Sequence, residues 1–197
     1  MRGVLDKIVT TPVGSSPRGC SFPGMYFELI GQFKKQLGQI GHWLDLATAH
    51  ARAEGVDPDT FLDLKLAPDQ FAFARQVQIA CDTAKFVASR LTGKEAPSHA
   101  DTEKTIEELR ARTKSVIAYL DGFTAADFAD AATRVISTPR WEGKVMTGAD
   151  YFREHGLPNF YFHVTHVYAL LRHRGVPLGK RDYLGAVTLR DPAAAAS

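Results

Sequence analysis

Apolar residues recur at helical intervals along most of the chain. In the first segment Tyr26, Ile30, Phe33, Leu37, Ile40, Leu44, Ala47 and Ala51 alternate spacings of four and three, the pattern of a bundle seam. Phe73, Val77, Ala80, Ala84, Ala88 and Leu91 make a second stripe, and Ile106, Leu109, Thr113, Val116 and Leu120 a third. Leu157, Phe160, Val164, Val167 and Leu171 make the fourth. Between Thr133 and Val145 the period changes: Val135, Ser137 and a turn at Trp141-Glu142-Gly143 predict a small β-hairpin before the last helix. Four amphipathic helices with short connections predict an all-α four-helix bundle carrying that hairpin as an insertion.

The punctuation sets the expected boundaries. Gly55 closes the first helix, Val56 to Ala67 form a polar connection, and Pro68 opens the second helix at N1. Gly93 to Ala100 is a loop, and Asp101 or Thr102 caps the third helix, with Glu103, Glu107 and Glu108 placed early as the dipole prefers. Thr124 with Asp127, and Thr147 with Asp150, have capping-box spacing. The last helix closes at Gly175, after Arg172, His173 and Arg174 and ahead of Pro177. Pro158 has two readings: a bend within one helix from Thr147, or the true helix start after a separate turn. The tail beyond Gly175 reads as irregular but ordered to about Gly185. Gly31 and Gly38 weaken the first helix by about 1 kcal/mol each, which suggests close approach of another helix, within the bundle or across a dimer.

Composition narrows the class. The chain has 197 residues, a formal net charge of +2 and 45% hydrophobic residues, the balance of one globular domain with an ample core. Acidic and basic residues are interspersed, which argues against nucleic acid as a partner. Two cysteines, Cys20 and Cys81, make no disulfide framework, so a reduced, cytoplasmic setting is expected. No apolar run approaches the roughly 18 residues that span a bilayer. Residues 1–24 are rich in Gly, Pro and Ser and read as a flexible leader, with translation expected to begin at Met25. The domain is expected over 25–185 and a disordered tail over 186–197.

Chemistry concentrates in the fourth helix. Asn159 and His163 lie at i and i+4 beside its apolar face. His163 and His166 form an H-x-x-H, but His166 turns further from the core, which splits the pair between interior and surface. On the second helix Gln70 falls within the apolar stripe, and Gln76 and Gln78 flank it; buried amides need partners, so they point to a polar network or a site. Asp82 and Lys85 lie further round, Lys85 as a solvated flank. His50, near the end of the first helix, serves its dipole. The run from Gly175 to Arg181 fails as a phosphate loop: its spacing is one short, Arg181 replaces the hydroxyl residue, and it follows a helix. Neither a G-x-S-x-G elbow nor an activating cysteine signature is present.

Three segments carry a family likeness: LAPDQFAFARQVQIACDTAK at 66–85, the DTE beginning at Asp101, and LPNFYFHVTHVYALLRHRGVPLGKRDYLG at 157–185. Over Met25 to Gly185 the chain resembles the family of domain of unknown function 1993, a branch of the DinB/YfiT-like superfamily. The resemblance implies a DinB-like four-helix bundle, commonly a homodimer. It also implies, from the wider superfamily, a divalent metal such as zinc or nickel held by three histidines, and in some relatives a thiol-dependent transferase or isomerase. Here His163 falls at the final ligand position, Asn159 four residues before it, and Gln78 near the position on the second helix. Amide oxygens are much poorer partners for those metals than imidazole, so a divalent metal held weakly, with Asp82 nearby, is the one cofactor left open. The expectation is a polar pocket lined by Gln78, Asn159 and His163, with Gln76 and Asp82 as further substrate contacts. His163 would act as base or weak ligand on a small molecule while the amides orient it. The alternative is a non-catalytic dimeric binding or structural protein without metal.

Overall fold

A computed structural model describes residues 23–191. The expected leader lies outside them except for Pro23 and Gly24, which open helix α1 (Pro23–Ala53). Residues 192–197 of the expected tail also lie outside. Helices α2 (Phe73–Thr92), α3 (Ile106–Asp121) and α5 (Leu157–His173) complete the bundle. Helix α1 packs chiefly on α3 and α2 on α5, while α2 also meets α3 and α1 also meets α5. The four helices thus enclose one core. Every residue of the first three predicted stripes is buried, and of the fourth stripe only Leu157 reaches partly to the surface. Phe33 stacks on Phe160 with ring centroids 4.1 Å apart, tying α1 to α5.

The hairpin is present as β1 (Val135–Ile136) antiparallel to β2 (Met146–Thr147), with Val135 opposite Thr147 and Ile136 opposite Met146. A turn of 3-10 helix at Pro139–Trp141 fills its loop. At Thr147, which closes β2, the Asp150 carboxylate does not bond the backbone N–H. Instead the Thr147 hydroxyl donates to the Asp150 carboxylate at 2.7 Å and accepts the Asp150 N–H at 3.1 Å. The expected box is therefore half formed. At Thr124 the Asp127 carboxylate does accept the Thr124 N–H, at 2.8 Å.

Four boundaries differ from expectation. Pro68 does not open α2; residues 66–70 are a turn, and the helix begins after Ala72. The connection before it is not wholly polar, because a 3-10 turn at Pro58–Asp63 buries Phe61 and Leu62. Helix α3 is capped by Thr105, whose hydroxyl accepts the Glu108 N–H at 3.1 Å, and not by Asp101 or Thr102. The tail after Gly175 contains a further helix, α6 (Lys180–Leu184), pinned when Trp43 and Gln39 donate to the Asp182 carbonyl. Gly31 and Gly38 are exposed, and a side chain there would meet nothing within 4 Å, so no helix of the bundle packs directly on them, although Gly38 borders a groove shared with α3.

Pro158 combines its two readings. A short helix α4 (Gly148–Asp150) runs into a π-helical segment, Tyr151–Gly156, which runs into α5 with Pro158 in its first turn. Leu157 keeps helical angles, φ −64° and ψ −52°, and its N–H reaches back to the Phe152 carbonyl. The wider register absorbs the proline that an α-helical interior would reject. Gly156 at the end of this segment sits against α2, where a β-carbon would lie 2.7 Å from Val87.

Candidate functional site

Two polar stripes face each other across the α2/α5 seam. On α2, Gln76, Thr83 and Arg90 are spaced by heptads; on the opposing stretch, His155, Asn159 and His163 are spaced by fours. The seam is antiparallel. Gln76 meets His163, Thr83 meets Asn159, and Arg90 donates to the Tyr151 hydroxyl at 2.9 Å.

The orientation of two amides is settled by backbone carbonyls, which can only accept. Gln76 donates through Nε2 to the Phe71 carbonyl at 3.1 Å, so its Oε1 is the atom facing His163. That oxygen lies 2.7 Å from His163 Nδ1, which must therefore carry the proton. The lone pair of His163 is left on Nε2. Likewise the Thr83 hydroxyl donates to the Ile79 carbonyl at 2.7 Å, so its oxygen accepts from Asn159 Nδ2, also at 2.7 Å. Asn159 Oδ1 is left free. Neither His163 Nε2 nor Asn159 Oδ1 bonds to a described residue, and neither is sealed from solvent. Both residues line a cleft of about 610 Å³.

This cleft presents two neutral acceptors one helical turn apart. Its walls are apolar, with Pro158 and the exposed rings of Phe71 and Phe162, and its charged lining residues are two carboxylates, Asp69 and Glu154. Burial lowers the pKa of His163 from 6.5 to about 4, with smaller contributions from His166 and Arg75, so the imidazole is neutral at pH 7. So weak a base is a hydrogen-bond acceptor first, and a poor proton abstractor. His166 is half-buried and bonds the Phe162 carbonyl from Nδ1 at 2.7 Å, which separates it from His163.

The structure divides the expected site. His163, Asn159 and Gln76 come together. Gln78 and Asp82 do not line the His163 cleft: both belong to a charge network between α2 and α3. Gln78 donates to Glu103 at 2.9 Å and accepts from Arg75 at 3.1 Å. Asp82 bonds Arg112 at 2.7 Å and Lys85 at 2.8 Å. Lys85 is not a solvated flank; it is 2% exposed, with Nζ 2.9 Å from His99 Nδ1. Gln70 is half-buried in the turn before α2 and sits in the cleft wall. Sequence reasoning missed Thr83, Arg90 and His155. The signal for Thr83 and Arg90 is the heptad polar stripe beginning at Gln76, and for His155 it is the spacing of four before Asn159.

The superfamily metal does not fit this arrangement. Beside His163 Nε2 stands one carboxamide oxygen; Gln76 is already engaged by His163 and Asp82 lies in the other network. Asp69, Glu154 and His155 line the same cleft without forming a metal-holding group with His163. Among the described residues no group of three or more His, Cys, Asp or Glu could hold a metal ion. Cys81 supplies no thiolate either, since burial pushes its thiol up to about 12.

A family model described as Domain of unknown function (DUF1993) matches residues 25–184. The fold is similar to the crystal structure of a DinB family member protein from Shewanella denitrificans, with a TM-score of 0.84 and 52% sequence identity. That likeness covers 87% of this chain and 98% of the other. No curated protein matches.

Proposed function

This chain belongs to the DUF1993 family, and we propose that it binds a small molecule whose hydrogen-bond donor group sits between His163 Nε2 and Asn159 Oδ1. The support is the pair of orientation locks: the Phe71 and Ile79 carbonyls turn Gln76 and Thr83 so that His163 Nε2 and Asn159 Oδ1 are left free, on two residues that line one cleft. A hydroxyl, amine or thiol could occupy that position, with the apolar part of the ligand against Phe71 and Phe162. Binding and positioning carry the proposal, since His163 is too weakly basic to lead with proton abstraction. Stabilisation by a panel of small alcohols, amines and thiols tests it, because a ligand taken up only by the folded chain raises the melting temperature. Any rise should disappear in Asn159→Leu and His163→Phe, which keep the volume and remove the acceptors. A rise that persists in both variants would move the site elsewhere, and a panel without effect would sink the reading.

Two further properties belong to the same proposal. Pairing of two copies through α1 is supported by its open face at Gly31 and Gly38, and sedimentation of Gly31→Gln tests it: a change from dimer to monomer is expected. Residence in the cytosol is supported by the buried, unpaired thiol of Cys81 and by the lack, among the described residues, of a helix long and apolar enough to cross a membrane.

A further inference from the structure

A second cavity of about 350 Å³ continues the cleft, and the two share Phe71, His155 and Asn159. Their charges are opposite. The first is rimmed by two carboxylates without Lys or Arg; the second is lined by three arginines, Arg75, Arg90 and Arg140, against one carboxylate, Asp82. That carboxylate is already engaged by Arg112 and Lys85, and Arg75 is paired with Asp101 at 2.5 Å. Arg90 and Arg140 have no acidic partner among the described residues.

The two free arginines are not equivalent. Arg140 is exposed on the hairpin loop. Arg90 is held in place: its guanidinium carbon lies 5.1 Å from the Phe86 ring centroid and 5.6 Å from that of Tyr151, and one N–H bonds the Tyr151 hydroxyl. A guanidinium has five donors, and none of those left over is both buried and unpartnered. Beside it Tyr151 stacks on His155 with centroids 5.5 Å apart and Trp141 completes an aromatic wall. An oriented guanidinium without a carboxylate, at the edge of an aromatic-walled cavity, has the geometry that recognises an oxyanion.

We propose that the ligand of the cleft carries an oxyanion group, a carboxylate, phosphate or sulfonate, bound by Arg90 and Arg140 on the far side of Asn159 from His163. This rests on the cleft being a small-molecule site, and adds its polarity: donor group toward His163, negative group toward Arg90. The opposite orientation would set the anion beside Asp69 and Glu154.

The test is titration of the purified chain with phenyl phosphate, benzoate, inorganic phosphate and neutral phenol, followed by calorimetry and by the imidazole resonances of His163 and His155. Phenyl phosphate should bind more tightly than phenol, move the His155 signals, and weaken as salt is raised. Arg90→Met keeps an unbranched side chain between Phe86 and Tyr151 and should lower phenyl phosphate affinity roughly tenfold or more. The exposed Arg140→Gln, which does not threaten folding, should lower it about threefold. Arg172→Gln removes the same charge about 20 Å along α5 from Asn159 and should change nothing. Benzoate against phenyl phosphate distinguishes a carboxylate from a phosphate preference. Phenyl phosphate binding no tighter than phenol, or equal losses in all three variants, would overturn the inference. Should phenol still move His163 in that case, the cleft reading survives alone; if no probe moves either histidine, both fall.

Discussion

Helix α2 presents two polar faces that differ in how far their hydrogen-bonding capacity is used. Toward α3, Arg112 is 2% exposed and meets Asp82 and Asp101 at 2.7 Å and Glu103 at 2.8 Å, while Lys85 joins Asp82 to His99. Burial works against both the charge of Arg112 and that of Glu103. Their mutual contacts win, raising the arginine pKa and lowering that of the carboxylate. Toward α5 and the segment leading into it, no carboxylate is engaged: two contacts join neutral groups, the third joins Arg90 to a neutral phenol, and each pair leaves one acceptor or donor open to a cavity. Charge alone would have ranked the first face as the site. What separates them is that the first is nearly saturated, as a structural clasp is, whereas the second orients groups and leaves them unused.

The contrast can be attacked from the clasp first. Arg112→Met should destabilise the fold by about 3–5 kcal/mol, because three carboxylates lose a buried partner at once, and denaturant unfolding measures it. The lowered carboxylates Asp101 and Glu103 add an acid branch. Their stabilisation is complete above the unfolded values of 3.8 and 4.5 and is lost as pH falls through the lower folded ones. An Arg112→Met protein as stable as the parent would place the network among surface ornament.

The cleft has its own pH window, at higher pH. Below pH 6.5 an unfolded chain binds a proton that folded His163 refuses until about pH 4, so stability falls as pH is lowered between those values. The span corresponds to about 3 kcal/mol for this one group, and His163→Phe should flatten that part of the stability curve. His99 and His155, both also lowered chiefly by burial, leave a residual slope. Gln76→Leu should cost about 1–3 kcal/mol by leaving His163 Nδ1–H buried without its acceptor. The smallest effect belongs to Arg140→Gln, within about 0.5 kcal/mol in stability, although its effect on anion binding is larger.

The bundle was legible because its stripes are long and regular: the seam from Tyr26 to Ala51 needs no tertiary knowledge to be placed. Boundaries were less so where polar side chains had distant partners. Asp101 looks like a cap, yet it takes φ 55° and turns to Arg75 and Arg112, contacts that no local pattern reveals. Lys85 reads as solvated because lysine usually is; only the fold brings Asp82 and His99 around it. For the site, the i,i+4 pair Asn159 and His163 was visible, and Gln76 was among the candidates. Gln78 was placed near His163 by the family resemblance alone; the fold gives that contact to Gln76 and turns Gln78 toward Arg75 and Glu103. The π-helical segment ahead of α5 was hidden altogether, as Pro158 signals a break in register but not its form.

The claim on which the site depends is that His163 is neutral, protonated on Nδ1 and open at Nε2. Nitrogen-15 NMR of histidine-labelled protein reports this directly, through the distinct shifts of protonated and unprotonated ring nitrogens across a pH titration. The expected result is the Nδ1–H form at neutral pH, a titration midpoint near 4, and conversion to a mixed tautomer in Gln76→Leu. An Nε2–H form, or a midpoint at the ordinary 6.5, would contradict it.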